Sequence, residues 1–218
     1  MAEIRWYGHN CFRIRAKEAT VLTDPVGKRT GYALPKQTAD IVTLSHDHPG
    51  HANLEAVKPD FQTINGPGEY ELNGVFITGI RTYHDKEKGA ELGYNTVYLI
   101  EVENLKFAHL GDLGHQLSDG QIEQLNSVDV LFVPAGGGPV LAPAEMAELI
   151  AAISPKVVIP MQYRTTRGDA ERESIEPFMK HLGVEMLAPV EKLTLKSSDL
   201  SDQTQVVLLE PESESARR

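Results

Sequence analysis

Short apolar runs separated by turn-forming residues dominate the first half of the chain. They are rich in β-branched and aromatic residues, which favour strands. Strands are predicted at 2–7, 10–15, 21–23, 41–44, 61–80, 96–102 and 105–108. Within 61–80, Asn73-Gly74 lies between two apolar runs, a pattern typical of a two-residue hairpin turn. The first half is therefore predicted to be almost entirely β structure.

A short helix is predicted at 53–57, and three further helical patterns lie in the second half. Residues 118–121 resemble a capping box, and Pro143 suits the first turn of a helix whose apolar positions recur from 146 to 153. A third helix is predicted over 174–182, capped by Ser174 and ended by Gly183. Further strands are predicted at 128–133, 157–159, 192–195 and 205–209. The pattern indicates a mixed α/β fold.

Composition narrows the class of protein. A length of 218 residues suits one domain, 1–218, with a flexible polar tail at 210–218. Acidic residues outnumber basic ones, 31 to 21, and no dense Lys/Arg run occurs, which argues against a nucleic-acid partner. No leader pattern or apolar run of about 20 residues is present. We therefore expect a cytoplasmic protein with a small-molecule substrate and no membrane partner.

The chain contains a single cysteine, Cys11, which is expected to be a small buried apolar residue. It can form neither an intramolecular disulfide nor a thiolate cluster. Any metal ion must therefore be held by histidines and carboxylates.

Three histidines and an aspartate lie within six residues, His46-Asp47-His48-Pro49-Gly50-His51, directly after the predicted strand 41–44. Imidazole is the commonest protein ligand for zinc and also suits iron. Polar residues follow other strands as well, namely Asp24, His84, the segment 109–115 and Gln162. We expect them to converge on one edge of a layered sheet, where binding sites commonly lie.

The order and spacing of these motifs resemble those of a known family from Trp6 to about residue 182. The motifs are Trp6-Tyr7-Gly8-His9, Leu22-Thr23-Asp24-Pro25, Ser45-His46-Asp47-His48 with His51, Tyr83-His84, His109-Leu110-Gly111-Asp112-Leu113-Gly114 and Ile159-Pro160-Met161-Gln162-Tyr163. Together they resemble the metallo-β-lactamase superfamily, and more closely its small UPF0173 and UlaG-like metal-dependent hydrolases. The resemblance implies a four-layer αββα sandwich with metals at one edge.

The resemblance also implies a ligand set. His46, His48 and His84 match the first metal site, Asp112 matches the carboxylate that bridges two metals, and His51 belongs to the second site. This chain departs from the family at two positions, where Gly50 replaces an aspartate and Gln162 replaces a late histidine. Gly has no ligand atom and a neutral amide binds zinc weakly. We therefore predict one metal ion, zinc first, with iron or manganese as alternatives.

Further roles follow from the same resemblance. Asp112 is expected to orient a water molecule or accept its proton, while Asp24, His109 and Gln162 are expected to support the ligands from behind. Asp47 is expected to order its loop. His9 or His115 is a candidate replacement ligand for the second site.

Three functions remain open from the sequence. The first is a mononuclear metal-dependent hydrolase acting on a small or phosphorylated metabolite. The second is a catalytically impaired or non-enzymatic binding protein that keeps the fold. The third is oxidoreductase chemistry with iron. Loops 26–39, 85–95 and 134–142 are expected to set the substrate, and 85–95 is expected to be mobile.

Overall fold

The computed structural model describes residues 1–212. Its strands are β1 (Ala2–Trp6), β2 (Phe12–Arg15), β3 (Thr20–Thr23), β4 (Ile41–Thr43), β5 (Gln62–Ile64), β6 (Gly68–Leu72), β7 (Val75–Tyr83), β8 (Tyr94–Val102), β9 (Leu105–His109), β10 (Val130–Pro134), β11 (Val157–Met161), β12 (Leu193–Leu195) and β13 (Gln205–Val206). The α-helices are α1 (Asp119–Gln124), α2 (Pro143–Ile153) and α3 (Glu176–Leu182). This order agrees with the pattern read from the sequence.

The strands form two sheets. One has the order β12-β1-β2-β3-β4-β5, and the other has the order β13-β11-β10-β9-β8-β7-β6. The hairpin predicted at Asn73-Gly74 is confirmed, because Leu72 pairs with Val75 across it. Strands β3, β4 and β5 run parallel to one another, as do β9, β10, β11 and β13.

The main core lies between the sheets, where apolar residues alternate inward along each strand. Trp6 stacks on Phe12 with ring centroids 6.2 Å apart, and Phe12 meets Phe132 of the other sheet at 4.4 Å. The apolar face of α2, including Met146 and Ile150, belongs to the same core. The predicted two-sheet α/β sandwich is confirmed.

The outer layer over the first sheet is thinner than an αββα description suggests. A second apolar cluster on this sheet contains Leu22 and Val42, with Tyr32 and Val57 contributed by loops. The only helical segments in those loops are 3-10 turns at Lys28–Thr30 and Leu54–Ala56. Loop side chains therefore replace an α-helix on this face within residues 1–212.

Two local predictions need correction. Helix α3 has Ile175 rather than Ser174 as its N-cap, although Gly183 ends it in the left-handed conformation as predicted. Residues 210–212 are not a free tail, since the Glu212 N–H donates to the Trp6 carbonyl at 2.8 Å. The remainder of the predicted tail, 213–218, lies outside the described residues. Among the helices described, none is long and apolar enough to span a bilayer.

Candidate metal centre

The polar residues singled out in the sequence lie together at one edge of the sandwich. Asp24 follows β3, the segment His46 to His51 follows β4, and His84 follows β7. Asp112 and Gln162 follow β9 and β11. Carboxyl ends of neighbouring parallel strands meet at the same edge, so this convergence follows from the topology.

Asp112 is at the centre of this cluster and is fully buried. Its Oδ2 lies 3.1 Å from His84 Nε2, and its Oδ1 lies 3.6 Å from His51 Nε2. Oδ1 also accepts hydrogen bonds from Asn10 Nδ2 at 2.6 Å and from Gln162 Nε2. Burial alone would raise the pKa of Asp112, but the charge of His51 and the hydrogen bond from His84 hold it well below its usual value. Asp112 is therefore an ionised carboxylate.

The turn after β9 fixes where Asp112 points. Asn95 Oδ1 accepts the Asp112 N–H at 2.9 Å, and Asn95 Nδ2 donates to the Leu110 carbonyl at 2.9 Å. Gly111 has a φ of 59°, and a Cβ there would lie 2.3 Å from Asn95 Oδ1. Glycine is therefore required at this position for the turn to close.

Asp24 fixes the protonation of two histidines at once. It accepts the Ser45 hydroxyl at 2.6 Å, so the same hydroxyl oxygen can accept from His46 Nδ1 at 3.0 Å. It also lies 3.2 Å from His51 Nδ1. Both rings consequently carry a proton on Nδ1 and turn Nε2 into the cluster. Burial lowers the pKa of His46 to about 4, which keeps this ring neutral and able to bind a metal.

His48 is the most exposed of the three loop histidines. Its Nδ1 accepts a hydrogen bond from the Gly50 N–H at 3.1 Å, so its lone pair is on Nδ1. The ring lies 5.8 Å from that of His46 and 5.5 Å from that of His51, measured between centroids.

Three overlapping sets of residues have ligand atoms within 4.8 Å of one another. They are His46, His48 and His51; His46, His84 and Asp112; and His9, His51 and Asp112. Of the predicted first-site residues, His46 shares one set with His48 and another with His84 and Asp112, while no set contains His48 and His84 together among the described residues. Imidazoles with one carboxylate form a donor set suited to zinc and to neighbouring first-row ions. The residues therefore fit a divalent metal ion.

His109 and Asp47, which were expected to support the site and its loop, do not make the contacts expected of them. His109 donates from Nε2 to the Asn10 carbonyl at 3.0 Å and contacts none of the candidate ligands by hydrogen bond. Because the Asn10 side chain donates to Asp112 Oδ1, His109 is linked to Asp112 through Asn10. Asp47 is exposed and makes no hydrogen bond within residues 1–212, so the loop-ordering role expected for it is not seen.

Of the two candidate replacement ligands, His9 lies in the cluster and His115 lies away from it. His115 donates from Nδ1 to the Gln116 carbonyl, and its ring contacts that of Tyr83 at a tilted angle, away from the cluster. His9 lies inside it, with Nε2 at 3.1 Å from His51 Nε2 and Nδ1 at 2.7 Å from Asp169 Oδ1. Asp169 was not identified from the sequence, because it lies well beyond the end of the predicted strand 157–159 and belongs to no motif.

A groove of about 560 Å³ opens beside His46. Leu44, Arg81, Leu92 and Tyr94 are among its lining residues. The Arg81 guanidinium lies over the Tyr94 ring, 4.8 Å from its centroid.

Comparisons with known proteins agree with this architecture. Residues 3–162 match the family model of the beta-lactamase superfamily domain. A UPF0173 protein of Pyrococcus abyssi is 31% identical over 198 residues, covering 83% of this chain and 90% of that protein. A UPF0173 metal-dependent hydrolase of Thermococcus onnurineus is 26% identical, covering 76% of this chain and 86% of that protein.

A solved structure from Thermotoga maritima, assigned to the metallo-beta-lactamase superfamily as a proposed Zn-dependent hydrolase, is 36% identical with a TM-score of 0.80. The match covers 96% of this chain and 98% of that one. With the sandwich and the histidine cluster at its edge, these matches show that the chain belongs to the beta-lactamase superfamily and has the metallo-beta-lactamase fold.

Proposed function

We propose that this protein is a metal-dependent hydrolase of a small or phosphorylated metabolite, with zinc as the first candidate ion. His46, His48 and His84 would hold the ion together with Asp112. The observation that carries the proposal is the buried, ionised Asp112, whose two oxygens face the imidazoles of His84 and His51. The names of the UPF0173 relatives support the same class of reaction.

The metal ion and the side chains of this protein have different roles in the proposed reaction. A bound divalent ion supplies Lewis-acid polarisation of a carbonyl or phosphoryl oxygen and makes water a nucleophile near neutral pH. His46 presents a neutral Nε2 lone pair, because its Nδ1 proton is held by Asp24 through Ser45. Asp24 holds the Nδ1 proton of His51 directly, which leaves Nε2 as the nitrogen of that ring that faces the centre. Asp112 stays anionic across the neutral range, so it serves to orient a water molecule by accepting its hydrogen bond.

The groove beside His46 supports a substrate with both an anionic group and an apolar part. Arg81 offers a guanidinium, which binds carboxylates and phosphates with two parallel hydrogen bonds. Leu92 and Tyr94 are exposed large apolar residues at the same groove. Such surfaces commonly mark ligand sites.

A specific observation favours the second candidate, a binding protein without hydrolysis. Asn10 and Gln162 both donate to Asp112 Oδ1, and these two hydrogen bonds compete with a water or a metal for that oxygen. Position 50 is also closely packed, since a Cβ there would lie 3.0 Å from His48 Nδ1. A larger side chain at position 50 would therefore have to displace the His48 ring.

The test combines metal analysis with hydrolysis. We expect the purified protein to bind zinc, iron or manganese, and to hydrolyse p-nitrophenyl acetate, p-nitrophenyl phosphate or bis(p-nitrophenyl) phosphate in a metal-dependent manner. Asp112→Asn removes the charge at nearly constant size and should lower kcat/KM by about a hundredfold or more. His181→Ala, an exposed histidine on α3, is the matched control and should leave both readouts unchanged.

The outcomes separate the two candidates. Absence of all three metals after dialysis against each salt would end the hydrolase proposal. Bound metal without turnover of any of the three esters, equal in Asp112→Asn and the unmodified chain, would favour the binding protein.

A further inference from the structure

Two buried histidine rings face each other at the back of the cluster. His9 Nε2 and His51 Nε2 are 3.1 Å apart, and each ring has its other nitrogen against a carboxylate. His9 Nδ1 lies 2.7 Å from Asp169 Oδ1, and His51 Nδ1 lies 3.2 Å from Asp24 Oδ2. The four side chains are therefore arranged as carboxylate, imidazole, imidazole, carboxylate.

The positions of the protons in this arrangement show what is required between the rings. A carboxylate accepts hydrogen bonds only, so each ring carries a proton on Nδ1. The two Nε2 lone pairs then point at each other in a buried space. Asp112 Oδ1, 3.6 Å from His51 Nε2, adds a negative charge to the same space. A cation must therefore lie between these atoms, and it is either a proton or a metal ion.

The geometry around the two rings favours a metal ion. A metal-binding imidazole is usually supported by a hydrogen bond that its far N–H donates to a carboxylate. Ligand atoms of His9, His51 and Asp112 all lie within 4.8 Å of one another. The Gln162 amide is also close, because its Nε2 lies 3.4 Å from His9 Nε2. Its Oε1 has no hydrogen-bond partner within residues 1–212. Rotation of that amide would present an oxygen as a fourth ligand.

The backbone also holds these residues in place. His9, Asp24, Gln162 and Asp169 have φ values of 50°, 36°, 54° and 56°. Left-handed conformations are unfavourable for such residues and persist where the surrounding structure imposes them, commonly at functional sites. Four of them in one cluster indicate a site built by the fold rather than a chance contact.

We propose that His9, His51 and Asp112 form a second metal site, with Asp169 and Asp24 orienting the two rings. His9 thereby supplies an imidazole in place of the ligands missing at positions 50 and 162. The proposal rests on the proposed function, because it adds a second ion to the hydrolytic centre at His46, His48 and His84. It replaces the expectation of one metal ion per chain.

The test is the metal stoichiometry of the full chain, dialysed against zinc, desalted and analysed by mass spectrometry. We expect about two zinc ions per chain for the unmodified protein and about one for His9→Asn. Asparagine is chosen because it tolerates the left-handed backbone at position 9 while removing the imidazole. Asp169→Asn should retain the site but weaken its zinc affinity roughly 10–100-fold. His181→Ala is the control.

A first-site variant separates this proposal from the proposed function. His48→Ala should also leave about one ion, and the pair His48→Ala with His9→Asn should leave none. If His9→Asn retains the stoichiometry of the unmodified chain while His48→Ala lowers it, the second site is overturned and the first stands. If the unmodified chain binds no zinc, both are overturned.

Anomalous diffraction from zinc-loaded crystals gives a readout that needs no variant. We expect one peak among His46, His48 and His84 and another between His9 and His51. A peak at the first position alone, with the His9–His51 contact retained, would identify a shared proton between the rings and overturn the proposal.

Discussion

At the scale of single residues, Asp24 has the widest influence on the centre. Its two oxygens accept from the Ser45 N–H and hydroxyl, and one of them also meets His51 Nδ1. Burial would raise the pKa of Asp24, but the hydrogen bond and charge of His51 lower it to about 2. The same carboxylate thus sets the tautomers of His46 and His51.

We predict that Asp24→Asn lowers stability in a pH-dependent way. A depressed pKa stabilises the folded state above the ordinary value of 3.8, and this contribution disappears as pH falls toward about 2. The shift corresponds to about 2 kcal/mol at neutral pH, since one pKa unit is about 1.4 kcal/mol. Urea unfolding of metal-free protein should show this difference at pH near 7 and a smaller one near pH 2.

The matched control is Asp47→Asn, which removes an exposed carboxylate from the neighbouring loop. It should leave the urea midpoint unchanged at both pH values. Equal effects of the two substitutions at neutral pH would show that Asp24 does not organise the cluster.

The residues of the centre were only partly predictable from the sequence. His46, His48, His51 and His84 stand at strand ends in a recognisable spacing, which the resemblance to a family makes specific. The contact between His9 and Asp169 joins residues 160 positions apart. It depends on how two loops pack, and no local pattern in either loop contains that information.

At the scale of elements, the loop between β7 and β8 differs most from the expectation. It was expected to be mobile, yet Asp85 accepts four backbone N–H groups within it, from Glu87, Gly89, Glu91 and Leu92, at 2.7–3.1 Å. From the sequence alone, a carboxylate at the start of a charged loop is predicted to be an ordinary surface residue. Strand positions were easier to predict, because alternation of apolar residues reports burial directly.

We predict that Asp85→Ala loosens this loop without unfolding the sheet. Hydrogen bonds to a charged group are stronger than those between neutral groups, so losing all four should accelerate amide exchange at 87–92 by about tenfold or more. Exchange in β7 and β8 should be unchanged. Glu87→Ala, an exposed residue of the same loop, is the control, and a similar acceleration in that variant would contradict the role of Asp85.

At the scale of the whole molecule, the segment 205–212 joins the two sheets. Its β13 pairs with β11 in one sheet, while the Glu212 N–H reaches the Trp6 carbonyl at the end of β1 in the other. Leu208 and Leu209 between them are buried in the main core. The sandwich was predictable from the resemblance, but this closure was not, because a polar sequence near a chain end usually indicates fraying.

We predict that Leu208→Ala destabilises the whole domain. Truncation of a buried leucine leaves a cavity and costs about 2–5 kcal/mol, which should appear as a lower urea midpoint in a single transition. Glu210→Ala, exposed in the same segment, should unfold like the unmodified chain. An unchanged midpoint for Leu208→Ala would show that the segment does not contribute to the fold.

The left-handed backbone at His9, Asp24, Gln162 and Asp169 has a consequence for protein engineering. Transplanting only the side chains of this centre onto another sandwich would fail, because an ordinary strand end does not supply those dihedral angles. A successful graft has to import the turns that follow β1, β3 and β11 together with the loop around Asp169. A graft must therefore transfer these turns first, and the ligand side chains can be added only once the turns are in place.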